Sequence, residues 1–423
     1  MNIKKLHIEN FRGLSSYTYE LSDTLTLFAG INGAGKSTVL AAVKILFSWL
    51  VARLKNSKGN GDSLTDSDVK IGQQYCLLQI DVEYNGQNVE WKLYRQLSSV
   101  RTKPVHQTVL KDLSELANRI LLDNQNNTGA AALPLVASYG VNRLVANVGT
   151  ELAKKSALNM LDVYNKDGGD NYTALFAWFR EREDIENEQF RNTGSLEEDM
   201  QLKAVRHAIY GCLPGFSDLR SQRTSRIYTI KKNGIDFDLN QLSDGEKAYI
   251  ALVADIARKL GMTHPNMPNP LMAEGIVMID EIDLHLHPTW QREILPGLNK
   301  VFPNVQFLIT THSPYVLSNV NINKGEKLFL LDSGETSLVE ANVYGKSIEQ
   351  ILLDELNVRS TRGMEVQNHL DAVNSCLKRK DISSEEYLGH KSWLKDNVSR
   401  SDSVFMNIVE QESLIKFRRH EKN

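Results

Sequence analysis

Residues 3–11 alternate, Lys4, Leu6 and Ile8 against Lys5, His7 and Glu9, with the period of two expected of a half-buried strand. Residues 25–29 form a short apolar run, predicted as a strand, that leads directly into glycine. Residues 37–54 are apolar over the length of a helix. Lys44 and Arg53 interrupt that run, and its uncharged stretches fall far short of the ~20 residues a membrane span needs, so it predicts a buried helix. Residues 56–68 are polar and rich in Gly and Ser, the composition of an exposed loop. The β-rich runs 75–84 and 89–97 flank Asn85-Gly86, a strong hairpin signal, and 226–231 and 235–239 flank Asn233-Gly234 in the same way. Residues 133–139 are another apolar run. Two fully apolar runs, 276–279 and 305–309, read as strands of a buried parallel sheet. Between about 150 and 215 strand signals fade, and Leu175, Phe176, Trp178 and Phe179 take helical spacing ahead of the charged stretch 180–188.

Four segments carry candidate chemistry. Gly30-Ile31-Asn32-Gly33-Ala34-Gly35-Lys36-Ser37 fits G-x-x-x-x-G-K-[ST], after a strand and before a helix. Glycines let the backbone wrap a phosphate with its N–H groups turned inward, and the helix start adds a favourable dipole. Lys36 would reach the β- and γ-phosphates, and the Ser37 hydroxyl would ligate Mg²⁺. The strand 276–279 ends in Asp280-Glu281. Beside a phosphate loop, the Asp serves the Mg²⁺ shell and the Glu polarises an attacking water. Read alone, the same two acids are a helix cap. Ser243 and Glu246 have the spacing of a capping box that opens an apolar helix. Thr310-Thr311-His312-Ser313-Pro314 closes the strand 305–309, where a lone His is most often structural.

In this order the motifs resemble the ABC-type ATPases of the SMC/RecF-like class. The resemblance implies an α/β fold: an ABC-type P-loop ATPase head, a mixed sheet with an antiparallel β part, carrying a helical insert and a helical C-terminal tail. It implies an N-terminal lobe with Walker A over 1–148, the insert over 149–215, a C-terminal lobe over 216–340 and a partner-binding tail over 341–423. Ser243, Gly245 and Glu246 take the place of the signature motif, His312 that of the switch histidine and Asp283 that of the D-loop. Asn10-Phe11-Arg12-Gly13 resembles the class's opening strand, whose Arg, here Arg12, approaches the nucleotide. The ATP site implied is Arg12, Gly30, Asn32, Gly33, Ala34, Gly35, Lys36, Ser37 and Thr38, with Ser37 and Asp280 on Mg²⁺ and with Glu281, His312 and Lys36 catalytic. Gln79 is the candidate Q-loop glutamine. Two copies would pair head to tail as a homodimer or higher homo-oligomer, each signature motif meeting the ATP of the other. His285 and His287 also raise a metal site, which their place beside the D-loop disfavours.

The interval of 207 residues between Lys36 and Ser243 holds no sustained heptads, unlike a long-armed SMC protein. No Asp-x-Asp of a Toprim nuclease follows His312, so an ATPase without its own nuclease site is expected. Tyr344-Gly345-Lys346-Ser347-Ile348-Glu349-Gln350-Ile351-Leu352, Val358-Arg359-Ser360, Phe176-Ala177-Trp178-Phe179-Arg180 and Glu186-Asn187 resemble the PtuA-type ATPases of Septu and retron anti-phage systems. That implies an HNH nuclease partner, PtuB-like, and in a retron a reverse transcriptase with its msDNA. The alternatives are a RecF-like DNA-repair ATPase that binds DNA directly and the ATP subunit of a transporter, the latter disfavoured by the opening motif and the insert.

Composition narrows the choice. Among 423 residues, 49 Lys and Arg against 52 Asp and Glu give a net charge of −3, so any nucleic-acid contact must be a local patch. Arg220, Arg223, Arg226, Lys231 and Lys232 are one candidate, and Lys416, Arg418 and Arg419 another, with solvated charge an equal reading. Hydrophobic residues at 41% exclude a disordered chain. Cys76, Cys212 and Cys376 have no CxxC spacing, which fits a reducing compartment. The first residues lack a secretory h-region, and a cytoplasmic protein without a membrane partner is expected.

Overall fold

A computed structural model of the chain describes residues 1–126, 133–142, 163–164, 172–194, 198–222, 227–399 and 401–420. In chain order, β1 (Asn2–Glu9), β2 (Tyr17–Glu20) and β3 (Leu25–Gly30) precede α1 (Lys36–Lys55). The first predicted hairpin is β4 (Tyr75–Tyr84) and β5 (Gln87–Gln96), followed by α2 (Lys111–Asn126) and β6 (Leu135–Tyr139). α3 (Tyr172–Thr193) and α4 (Met200–Cys212) fall where helices were expected. Then come β7 (Phe216–Gln222), β8 (Ile227–Lys232), β9 (Ile235–Asp238), α5 (Asp244–Thr263), β10 (Gly275–Ile279), α6 (Pro288–Val301), β11 (Val305–Thr311), α7 (Pro314–Leu317), β12 (Lys327–Asp332) and β13 (Glu335–Leu338). Four helices end the chain: α8 (Ile348–Asp354), α9 (Met364–Lys378), α10 (Glu385–Asn397) and α11 (Ser403–His420). Two compact units result, Met1–Ile348 and Glu349–Asn423.

In the first unit the described residues form three sheets. A four-stranded antiparallel sheet runs β2-β1-β4-β5, and a six-stranded mixed sheet runs β13-β12-β3-β11-β10-β6. β12, β3, β11, β10 and β6 are parallel, and only β13 is antiparallel. β7 joins the second predicted hairpin in a three-stranded sheet, and neither β7 nor the β12–β13 pair was anticipated. The expected alternation in β1 is corrected by a bulge between Ile3 and Lys5. It brings Ile3 inward with Leu6 and Ile8 and leaves Lys4 half-buried and paired with Asp23.

α1 is the centre of the main core. By length and hydropathy it would pass for a membrane span. Here Val39, Val43, Leu46, Phe47 and Leu50 are fully buried in one cluster with Ile8, Ile80 and Trp91 of the antiparallel sheet and Met278 and Leu308 of the mixed sheet. Phe47 meets Trp91 edge-on at 5.6 Å, and the indole N–H donates to the Leu46 carbonyl (3.1 Å). Each such side chain gains about 1.5–3 kcal/mol from leaving water. The helix that opens on the glycine loop is therefore clamped from both faces.

α5 is buried almost all round, the sign of an interior helix, yet it carries charge. Asp255 accepts Arg258 on Oδ1 (3.0 and 2.6 Å) and both Lys259 (2.7 Å) and the Tyr139 hydroxyl (2.9 Å) on Oδ2. Burial pushes the Asp255 carboxyl up, but Lys259 and Arg258 outweigh it and hold the group at about 2. The cluster ties α5 to β6, and the Tyr139 carbonyl accepts the Asp280 N–H (2.9 Å).

The second unit packs Leu370, Val373, Cys376 and Leu377 of α9, Tyr387 and Leu394 of α10, and Phe405 and Ile408 of α11 into its own core. Arg362 pairs with Asp402 there (2.9 Å).

Breaking the α5 cluster leaves Lys259 buried without its carboxylate. Asp255→Asn is expected to lower stability by about 3–5 kcal/mol in urea unfolding. Because the folded group titrates near 2 rather than 3.8, its contribution is present above pH 3.8 and fades as pH falls toward 2. A loss below about 1 kcal/mol, the scale of a surface pair, would contradict this placement.

Candidate functional site

Parallel pairing decides where the motifs meet. Ala29 of β3 lies opposite Thr311 of β11, and Ile309 of β11 opposite Ile279 of β10. Three strands thus end at one edge, carrying the glycine loop, Asp280-Glu281 and His312, as in other parallel α/β sheets whose ligands bind at the carboxyl ends of the strands.

Two glycines of the loop, Gly30 and Gly35, have no room for a side chain. A Cβ on Gly30 (φ +148°) would meet the Leu331 carbonyl at 2.1 Å, and one on Gly35 (φ +105°) would meet Leu14 at 2.6 Å. Asn32 and Gly33 are exposed at the loop tip, Ala34 is buried beneath it, and Thr38 is half-buried in the first turn of α1. Lys36 is buried and donates to the carbonyls of Gly30 (2.8 Å) and Ile31 (3.0 Å). Burial pulls its pKa down, and the carboxylates of Glu281, Asp280 and Asp283 oppose that. An ammonium at the start of a helix suits a phosphate.

Ser37 donates to Asp280 Oδ1 at 3.0 Å. The same oxygen accepts the Thr310 hydroxyl at 2.5 Å, and the Thr310 oxygen accepts the Glu281 N–H at 2.7 Å. A hydroxyl and a carboxylate converging beside a phosphate loop are hard oxygen donors, the set that fits Mg²⁺. Glu281 sits in the left-handed region (φ 46°). Neither acid caps a helix: His287 caps α6, accepting the Thr289 N–H (3.3 Å), which also gives this histidine a structural role. Among the described residues no group of three His, Cys, Asp or Glu is placed to hold a metal. Asp283 is buried and accepts the Thr311 hydroxyl, while His312 Nε2 stands 3.4 Å from its other oxygen.

The segment 243–246 forms the expected capping box. Ser243 accepts the Glu246 N–H (3.4 Å), and Glu246 Oε2 accepts the Ser243 N–H (3.1 Å). The other Glu246 oxygen takes Lys232 of β8 (2.6 Å). A Cβ on Gly245 would meet the His285 carbonyl at 2.3 Å, so the helix start lies against the segment that follows the acids.

Arg12 (φ 52°) is held by Asp68, through its backbone N–H (2.7 Å) and Nε (2.9 Å), while Leu14 packs on Gly35. Gln79 lies in mid-strand, opposite His7 and Lys92. Three residues of the basic segment are paired: Arg220 (2.6 Å) and Lys231 (2.8 Å) share Asp218, and Lys232 is on Glu246. Lys416 pairs with Glu412 (2.6 Å). Arg223, Arg226 and the side chains of Arg418 and Arg419 lie outside the described residues. Thr310, Asp68 and Lys232 are the partners that sequence reasoning missed. For Thr310 the signal was present, since two threonines end an otherwise apolar strand.

The profile of a family described as "AAA ATPase domain" matches residues 1–211, and that of "AAA domain, putative AbiEii toxin, Type IV TA system" matches 153–318. The chain is 30% identical to the retron Ec83 probable ATPase of Escherichia coli, across 84% of this chain and 76% of that protein. It is 24% identical to the Septu protein PtuA of Bacillus thuringiensis, across 91% and 90%. The SMC head domain from Thermotoga maritima is similar over 81% of this chain and 100% of its own, with a TM-score of 0.44 and 14% identity.

The contact at Gly245 gives a test. Gly245→Ala should displace the His285 segment and lower ATP turnover about tenfold or more, with ATP affinity within about threefold, because the glycine loop is untouched. Turnover equal to that of the unmodified protein in a phosphate-release assay would show that this contact does not matter.

Proposed function

The chain belongs to the family of the retron ATPases and Septu PtuA proteins, P-loop ATPases of the SMC/RecF-like class, and on that premise we propose that it hydrolyses ATP at this strand edge to control a partner nuclease in anti-phage defence. The observation that carries the reading is the convergence of Ser37 and Asp280 (3.0 Å) beside Lys36, with Glu281 next in the chain. Lys36 exchanges its two carbonyl partners for the β- and γ-phosphates. Ser37 and Asp280 would hold Mg²⁺, which when bound would supply charge neutralisation at the phosphates. Glu281 takes a proton from the attacking water. His312, oriented by Asp283, faces the γ-phosphate, and Arg12 and Thr38 complete the nucleotide contacts from this copy. Ser243, Gly245 and Glu246 of a second copy close the site in a head-to-tail homodimer.

The reading of a partner is supported by the names of the relatives, a retron probable ATPase and a Septu protein. An HNH nuclease of the PtuB kind, with a reverse transcriptase and msDNA in the retron case, would supply the nucleic-acid chemistry. Direct DNA binding of the RecF kind has less support, because Arg220, Lys231 and Lys232 are each engaged by a carboxylate.

Glu281→Gln removes the base and keeps the phosphate contacts. Phosphate release should fall about 10²-fold or more while ATP still binds, and light scattering should show the ATP-bound variant accumulating as a dimer. Normal hydrolysis by Glu281→Gln would overturn the assignment of the base.

A further inference from the structure

Every residue of β11 is buried, and its last two are threonines. Thr310 has no exposed surface, and a buried hydroxyl needs partners. It has two, both in the acid segment: the hydroxyl donates to Asp280 Oδ1 (2.5 Å) and accepts the Glu281 N–H (2.7 Å). The Thr310 carbonyl accepts a third contact, the N–H of Ile282 (3.0 Å). One residue on the neighbouring strand therefore holds three consecutive residues after β10. The middle one, Glu281, has φ 46°, a conformation that residues other than glycine rarely adopt and that surrounding contacts must enforce.

We propose that Thr310 is a positioning residue for ATP hydrolysis. It fixes the Asp280 carboxylate through one oxygen and aims Glu281 by holding its backbone in the left-handed turn. It does not touch the nucleotide. Asp280 Oδ1 has a second donor, Ser37, but Ser37 is the residue assigned to the metal, so Thr310 is the donor independent of it. A β-branched side chain of this shape also fills the strand, and valine would fill it equally well. The hydroxyl is what valine lacks. This inference rests on the ATPase reading above and adds to it a residue that reading does not use.

The test compares the full chain with Thr310→Val and Thr310→Ser, reading phosphate release, ATP affinity with a fluorescent analogue, and the melting temperature without nucleotide. Thr310→Val should lower kcat about 10–100-fold while ATP affinity stays within about threefold, since the glycine loop is intact. It should also lower the melting temperature by removing the hydroxyl to which the Glu281 N–H donates. Thr310→Ser keeps the hydroxyl and should restore kcat to within about threefold of the unmodified chain. If Thr310→Val does not fold, Thr310→Ala is the second hydroxyl-free variant and is read in the same way. A Val or Ala variant with kcat within about twofold of the unmodified chain, or a Ser variant that falls as far as Val, overturns the proposal and leaves the ATPase reading standing. Absence of hydrolysis by the unmodified chain overturns both.

Discussion

Parallel pairing between β3, β11 and β10 is the constraint on which the rest depends, because side chains alternate along a strand and a slip of one residue exchanges its faces. With Ile309 opposite Ile279, Thr310 lies beside Asp280 and Glu281. Shifted by one, the hydroxyl would leave the acids, and the methyl groups around it would meet the wrong layer. The register is enforced by burial: all residues of β3, β10 and β11 are buried. A strand covered on both faces has no solvent side on which to tolerate a slip. The same burial explains why these strands read as continuous apolar runs.

Around that edge the parts are tied to each other more than to solvent. α1 carries Lys36 and Ser37 at its start and is clamped by apolar contacts along its length. α5 starts at the capping box, reaches Lys232 through Glu246, and is tied to β6 through Asp255 and Tyr139. Tyr139 in turn holds the Asp280 backbone. A displacement at the start of α5 therefore has two routes to the acids, one through Gly245 and the His285 carbonyl, the other through the buried charge cluster.

How much of this was legible follows from range. The glycine loop, the acidic strand end, the capping box and both Asn-Gly hairpins are local, and their spacing alone carries the signal. The partners of those residues are distant in sequence. Arg12 and Asp68, Lys232 and Glu246, Thr310 and Asp280 meet only through sheet topology. The basic run at 220–232 shows the same limit of range. Counted along the chain it is a patch, and the carboxylates that pair with three of its residues, Asp218 and Glu246, become visible only in space. Lys4 misled on a smaller scale, since a bulge that no composition announces returned Ile3 to the core. β7 and β13 carry mixed or polar patterns, Phe216 to Gln222 and Glu335 to Leu338, and become strands through their neighbours rather than their own periodicity, whereas the apolar run of β12 was a signal left unread.

The central claim is that this strand edge hydrolyses ATP. The most direct measurement is Mg²⁺-dependent phosphate release from ATP by the purified full chain beside its Lys36→Ala variant. The unmodified chain is expected to turn ATP over in an Mg²⁺-dependent way, and the variant to lose both turnover and ATP binding. Equal release by the two proteins, or none from either, would contradict the claim.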